Sequence, residues 1–296
     1  MGKTPDILCI GSVLWDIIGR TDHVMVPGND KPGRITRLPG GVALNIAMTI
    51  RGFGLTPALL SVVGDDAEGH ALLATCRAMG LDCDAVLVDA DLPTDQYMAI
   101  EAQGGLLAAL ADAHSLEAAG ARILVPLHDG RLASAAAPWS GIVALDGNLT
   151  EALLEEIAQS PLFAAADLRI APASPGKAVR LRPLLNHPRA TLYVNCEEAG
   201  RLTGTTPSDA MAAADHLINA GARRVLVTDG PAVAVAAQAD LRLVAKPPAI
   251  TARRVTGAGD TFMAAHIVAE FAGITGQAAL AQAIAAAADY VSSERS

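Results

Sequence analysis

The first apolar run of the chain, Asp6-Ile7-Leu8-Cys9-Ile10-Gly11-Ser12, is strand-length and closes on a glycine, the pattern of a buried strand that opens into a ligand-facing loop. Asp16 falls in that loop. Similar short apolar runs recur at Leu59 to Val63, Arg122 to Leu127, Gly141 to Leu145, Leu168 to Ala171, Thr191 to Val194 and Arg223 to Thr228. Between them lie stretches with helical spacing: Ile46 to Phe53, Ala67 to Met79, Thr150 to Gln159, Ser208 to Ala220, and Thr261 to Phe271. The first two stop at Gly54 and Gly80. The alternation predicts a doubly wound, mostly parallel α/β sheet flanked by helices on both faces. In such a sheet ligands bind beyond the carboxyl ends of the strands.

Two stretches depart from this rhythm. The segment from Arg20 to Pro39 is polar, holds Gly and Pro, and carries short alternating pieces at Val24-Met25-Val26 and Arg34 to Leu38, so it predicts an exposed β excursion. Farther on, Tyr97 to Ala102 and Leu106 to Leu110 flank Gln103-Gly104-Gly105, which predicts a hairpin with a three-residue turn. The two excursions are expected to join as a small β lid. The reading is one α/β domain over residues 1–296, with the lid inserted as segments near 20–39 and 94–112.

Composition narrows the partners. With 296 residues, 51% of them hydrophobic, the chain can bury a sizeable core. Its formal net charge of −9 and the absence of any block of Lys or Arg exclude a nucleic acid polymer as partner. Cys9, Cys76, Cys83 and Cys196 are scattered without a C-x-x-C pair, as expected for reduced, buried thiols in a cytoplasmic protein. The apolar run at Ile7 to Val13 is too short for a signal peptide or a membrane span.

The chemistry gathers at strand ends and helix starts. Val255-Thr256-Gly257-Ala258-Gly259-Asp260-Thr261 is a glycine-rich turn running into an acid and a helix. Small residues let an anion approach the backbone, and the N–H groups and dipole of a helix start favour negative charge there. The same turn also suits a plain Asp N-cap. Gly40-Gly41 with Asn45 is a second glycine turn feeding a helix, a pattern that structural turns share. Asn195-Cys196-Glu197-Glu198 ends a strand with an amide and carboxylates that suit water around a divalent cation, and equally a capping box. Thr228-Asp229-Gly230 ends another, with a hydroxyl and a glycine suited to a nucleotide phosphate or to an ordinary turn.

In this order and spacing the four elements resemble the ribokinase-like, or PfkB, family of carbohydrate and nucleoside kinases. The resemblance covers nearly the whole chain and is most specific at GGVALNIA (Gly40 to Ala47) and VTGAGDTFMAAHIVAE (Val255 to Glu270). It implies a ribokinase-like fold with a β lid, ATP and Mg²⁺ as cofactors with room for a monovalent cation such as K⁺, and a homodimer formed through the lid. It also assigns roles. Asp260 would be the catalytic base and Gly257, Ala258 and Gly259 the anion hole. Asp16, Gly41 and Asn45 would hold the acceptor; Thr228, Gly230 and Asn195 the nucleotide; and Glu198 would organise Mg²⁺ through water. At a helix N-terminus Asp260 is expected to be a weak base that takes the hydroxyl proton late in the reaction. Arg254 reads as a solvated surface residue.

Finer resemblance leans toward the pseudouridine kinases of that family, on WDIIGR (Trp15 to Arg20), KPGRITRLPGGVALNIA (Lys31 to Ala47), LLAALAD (Leu106 to Asp112) and LDGNLT (Leu145 to Thr150). The departure is Leu44, where that group commonly carries Arg. A ribokinase- or fructokinase-type sugar kinase and a general nucleoside kinase are the alternatives, and a sugar- or nucleoside-binding sensor is the alternative of another class. Retention of an acid at 260 argues against the sensor. A nicotinamide-dependent dehydrogenase requires G-x-G-x-x-G after the first strand, where Gly11 to Asp16 supplies only the first glycine.

Overall fold

The computed structural model describes residues 4–103 and 105–293. In chain order the strands are β1 (Ile7–Ile10), β2 (Leu14–Thr21), β3 (Arg34–Gly40), β4 (Pro57–Leu60), β5 (Val62–Gly64), β6 (Leu87–Asp89) and β7 (Gln96–Ala102). They continue as β8 (Gly105–Asp112), β9 (Ile142–Asp146), β10 (Asp167–Ala171), β11 (Ala190–Asn195), β12 (Arg224–Thr228), β13 (Ala234–Gln238) and β14 (Leu241–Ala245). The helices are α1 (Val42–Gly52), α2 (Ala67–Ala78), α3 (His114–Ala119), α4 (Glu151–Gln159), α5 (Arg182–Leu185), α6 (Cys196–Thr203), α7 (Ala210–Asn219), α8 (Ala258–Phe271) and α9 (Gly276–Ser292).

The described residues build an eight-stranded sheet in the order β14-β13-β12-β11-β10-β9-β1-β4. Strands β4 through β12 of that order run parallel, and β13 and β14 close one edge antiparallel. Strands covered on both faces need apolar side chains throughout, and β1 and β4 are buried along their whole length. Side-chain alternation divides the core in two. Leu8, Ile10, Leu145 and Leu192 pack on one face, while Ile7, Cys9, Leu59 and Leu226 join residues of α1, α2, α8 and α9 on the other. From β1 the chain moves through α1 to β4 on one side, then returns to β9 on the other and proceeds outward. The direction of winding therefore reverses between β1 and β9, where a doubly wound sheet opens its crevice.

The lid is a second sheet in the order β3-β2-β7-β8, with β2 and β7 parallel and both outer pairs antiparallel. It meets the main body through Trp15, whose indole Nε1 donates to the Glu68 carbonyl at 3.0 Å. The Arg37 guanidinium lies 3.9 Å from the centre of the Trp15 ring and pairs with the Glu68 carboxylate. This contact ties β2 and β3 to α2.

Several sequence expectations are corrected. Asp16 belongs to β2, because the chain re-enters strand at Leu14 and pairs immediately with β3. Val24 to Val26 lie outside any strand. Arg122 to Leu127 is not a strand but part of a 3-10 helix, Gly120–Leu127. Ile123, Leu124 and Leu127 are buried while Arg122 and Val125 are exposed, a helical spacing, and β9 already occupies the place beside β1. Leu59 to Val63 is split between β4 and β5, which belong to different sheets. In the hairpin, Gly105 already pairs with Ala102, so the turn is shorter than three residues; Gly104 lies outside the described residues. Helix α8 starts three residues earlier than its apolar pattern, at Ala258.

Candidate active site

A cleft of about 860 Å³ opens at the carboxyl ends of the parallel strands, beneath the lid. Every candidate residue read from the sequence lines it: Asp16, Gly41 and Asn45 on one side, Asn195, Glu198, Thr228 and Gly230 on the other, and Gly257 to Asp260 between.

Gly41 makes the first turn. Its φ is 100°, and a Cβ there would lie 2.5 Å from the Ser12 carbonyl oxygen, so the step from β3 into α1 needs a residue without one. The turn sets Asn45 in the first turn of α1, where its side-chain amide donates to Asp260 Oδ2 at 2.9 Å. Two segments 215 residues apart in sequence thus meet in one hydrogen bond. Asp16 enters from β2, buried, in register with Leu38 of β3 and Tyr97 of β7.

Gly257 makes the second turn, with φ of 88°, and a Cβ there would collide with the Tyr290 hydroxyl. It is the N-cap of α8 and supplies no side-chain cap; Asp260 stands inside the first helical turn, which sets aside the N-cap reading of that acid. Ala258 N–H is engaged, donating to the Val255 carbonyl at 3.1 Å. Gly259 and Asp260 have no carbonyl four residues back within the helix, so their N–H groups are the ones suited to an anion. Arg254, expected to be solvated, is anchored instead: its guanidinium stacks 3.6 Å from the Tyr290 ring centre and donates to the Tyr290 carbonyl and the Ser293 hydroxyl.

The electrostatics of Asp260 run against the sequence expectation of a weak base. Burial, with the charges of Asp146, Asp16 and Glu198 added, pushes its carboxyl up to about 7 despite the Asn45 hydrogen bond. A helix start contributes at most ~2 kcal/mol, and desolvation beside three acids exceeds it.

Across the cleft from Asp16 and Gly41, Asn195 and Thr228 are register partners at the ends of β11 and β12. Asn195 Oδ1 accepts from Glu198 N at 2.9 Å and Glu198 Oε2 accepts from Asn195 N at 2.8 Å, a complete capping box. The capping and the cleft-facing readings of this pair therefore hold together. Burial raises the Glu198 carboxyl to about 7, its hydrogen bond from Asn195 notwithstanding. A buried carboxylate of that kind gains from a nearby divalent cation or its water shell, so the pair fits Mg²⁺ held through water. Among the described residues no group of three or more His, Cys, Asp or Glu stands ready to hold a metal ion directly.

Sequence reasoning missed the support at the switch point. Fully buried Asp146, at the end of β9, accepts from Ser12 N at 2.8 Å, from the Ser12 hydroxyl, and from Asn148 N at 2.7 Å. Ser12 Oγ in turn accepts from Val42 N at 2.9 Å, which fixes the start of α1. Lys177, in the 3-10 turn Pro175–Leu181 after β10, donates to Asn148 Oδ1 at 2.7 Å. Within LDGNLT the Asp-x-Asn spacing was the available signal, but no motif marked Lys177.

Below the cleft, α8 is pinned to the sheet. Arg169 and Arg224, from β10 and β12, both donate to the Glu270 carboxylate at 2.5 Å. Those guanidiniums hold Glu270 down to about 2 although burial opposes it. Tyr193 on β11 bonds His266 Nδ1 at 2.9 Å, and burial lowers that imidazole to about 4.

A cleft at the switch point of a doubly wound sheet, with a helix start and an acid on its floor and a β lid above, defines a small-molecule kinase fold. The comparisons agree: the model for the pfkB family of carbohydrate kinases matches residues 4–295. The chain belongs to that family. Pseudouridine kinase of Escherichia coli (strain K12) is 30% identical over 270 residues, covering 87% of this chain and 81% of that protein. A carbohydrate kinase structure from Agrobacterium tumefaciens superposes with a TM-score of 0.80 at 30% identity, over 97% of this chain and 91% of that one. Arabidopsis thaliana ribokinase complexed with ribose and ATP shares the fold at a TM-score of 0.76 and 22% identity, covering 99% and 94%. The protein is thus an ATP-using phosphotransferase with an alcohol acceptor on a sugar or nucleoside. Among the described residues no helix is long and apolar enough to cross a membrane.

Proposed function

We propose that the protein transfers the γ-phosphate of ATP to a hydroxymethyl group of a nucleoside, pseudouridine first among the candidates. The observation that carries the reading is the Asn45–Asp260 hydrogen bond, which joins the acceptor-side turn to the acid at the start of α8. In this reading Asp16, Gly41 and Asn45 hold the acceptor's hydroxyls, since a carboxylate accepts from two hydroxyls at once. Asp260 orients the attacking hydroxyl and takes its proton, a role for which a base near neutrality is better matched than one near 4. The amides of Gly257, Gly259 and Asp260 receive charge as it spreads over the transferring group, with Ala258 shaping the turn. Thr228, Gly230 and Asn195 hold the nucleotide, and Glu198 with Asn195 orders the water around Mg²⁺, which when bound neutralises the phosphates. A monovalent cation such as K⁺ is a further cofactor of the reading.

The choice of pseudouridine rests on the E. coli relative and on the four segments that resemble its group. Position 44 does not weaken it, because Leu44 is fully buried in the core and is not among the residues lining the cleft. A sugar kinase of the ribokinase type is the second reading, supported by the small Ala109 and Ala111 side chains of β8 that line the acceptor end without offering polar contacts to a base. An ATP-consumption screen over pseudouridine, uridine, ribose and fructose tests the choice. Turnover of a plain sugar with none on pseudouridine would overturn it.

The chain acts in this reading as a single domain with an inserted lid, in the cytoplasm, where its four unbridged cysteines would be at home. It pairs with a second copy through the lid. Strand β8 is an edge strand exposed along its length, and Leu106, Leu107 and Leu110 present apolar side chains there. An edge of that kind calls for a covering partner.

A further inference from the structure

The cleft is lined by Asp16, Glu197, Glu198, Asp229 and Asp260, and Lys177 is the only Lys or Arg among the described residues that line it. The order of the strands locates that cation. Ser12 and Asn148 follow β1 and β9 on the acceptor side, Asn195 and Thr228 end β11 and β12 on the nucleotide side, and the turn carrying Lys177 follows β10 between them. We infer that the Lys177 ammonium contacts the phosphoryl group in transit from ATP to the acceptor, acting opposite the amides at the start of α8.

Three observations support this placement. The backbone is fixed, since Lys177 N donates to Ser174 O at 3.0 Å and the neighbouring Ala178 and Leu181 are fully buried. The side chain is aimed, because Asn148 accepts from Nζ through Oδ1 while its amide nitrogen donates to Ser12 Oγ at 3.1 Å and Asp146 Oδ2 at 3.3 Å. That bond uses one of the three N–H donors of an ammonium and leaves two for phosphate oxygens. Finally, the chemistry demands a cation. A loose phosphoryl-transfer transition state spreads negative charge over the equatorial oxygens, and in a cleft walled by carboxylates a positive group facing those oxygens is worth more than in water. Burial together with Arg180 lowers Lys177 from its usual range, so an arriving phosphate also relieves an unfavourable charge.

The inference rests on the family's phosphoryl transfer and is independent of which acceptor is bound. Its test uses Lys177→Met, Lys177→Gln and Lys177→Arg, with calorimetric binding of Mg²⁺–ADP and of a β,γ-imido ATP analogue alongside steady-state kinetics. Lys177→Gln keeps a donor to Asn148 without the charge, so a merely structural role would survive it. The expected result for Met and Gln is a loss of about tenfold or more in affinity for the imido analogue with ADP binding unchanged. Turnover should fall about 10²–10³-fold, as when one transition-state donor is removed, with acceptor KM little changed and partial rescue by Arg. Equal effects on ADP and the analogue, full turnover in Lys177→Gln, or a raised acceptor KM at unchanged kcat would each overturn the inference. Should the Met protein fail to fold, the Gln and Arg proteins carry the same comparison.

Discussion

Replacing Asp260 by Asn should remove catalysis and at the same time stabilise the fold. The carboxyl is moved from 3.8 to about 7 by burial and by Asp146, Asp16 and Glu198. A shift of that size corresponds to ~4 kcal/mol favouring the neutral form, at 1.36 kcal/mol per unit. The sign follows from the raised value: the folded state binds the proton more tightly than the unfolded chain. The associated stability is complete below pH 3.8 and is lost as pH rises through about 7. Asn is neutral throughout, keeps a partner for Asn45 and so should raise Tm most at pH 8, with at most ~4 kcal/mol gained. In wild type, a base titrating at about 7 is about one-eleventh ionised at pH 6 and ten-elevenths at pH 8. With ATP and acceptor both well below their KM, the rate should therefore rise about tenfold across that interval. An unshifted carboxylate would give a flat profile there. The assay is a coupled ADP readout at fixed free Mg²⁺, with Glu198→Gln as control, since Glu198 also titrates near 7. Turnover by Asp260→Asn within tenfold of wild type would refute its role as base. A flat profile, or an Asp260→Asn melting point at or below wild type at pH 8, would refute the electrostatic argument.

His266, lowered from 6.5 to about 4 by burial, with Arg224 and Arg169 opposed by Glu270 and Asp167, is held neutral beside Tyr193. Its stability contribution is present above 6.5 and lost as pH falls toward 4, about 3 kcal/mol in all. Urea unfolding of His266→Gln between pH 7 and 4.5 should show a shallower loss than wild type, and an unchanged slope would count against this assignment. Leu106→Lys with Leu110→Lys on β8 should convert a dimer to a monomer in light scattering, leaving the melting point of the monomer little altered; a wild-type monomer at micromolar concentration would end the lid-pairing reading.

The parallel body was legible because strands buried on both faces must be continuous apolar runs, and Ile7 to Ile10, Val225 to Val227 and their neighbours are such runs. The two glycine turns were legible because the backbone there requires positive φ, which leaves its mark in the residue type itself. Periodicity could not separate the run at Ile123 to Leu127 from a strand, since a short apolar stretch fits either and only the place already taken by β9 decides. Strand β13 escaped notice because Ala234, Ala236 and Ala237 lack the bulk that marks a strand. Lys177 left no mark in the sequence, and Asp146 only its Asp-x-Asn spacing, for another reason. Their significance lies in tertiary neighbours, with Asp146 reaching Ser12 across 134 residues.

Strand β8 turns Ala109 and Ala111 toward the cleft and the alternate positions Ala108 and Leu110, paired with Ile100 and Met98 of β7, away from it. One backbone ribbon thus carries both a wall of the cleft and the apolar edge, and a one-residue slip in its pairing with β7 would exchange them. Drift in one property drags on the other. A descendant that reshapes the cleft wall through insertion or deletion in this hairpin would displace the apolar edge in the same event, whereas point changes at 109 or 111 alone leave the edge intact. Lineages of this fold that diversify their substrates while keeping their quaternary state should therefore do so by substitution along β8 and seldom by altering its length.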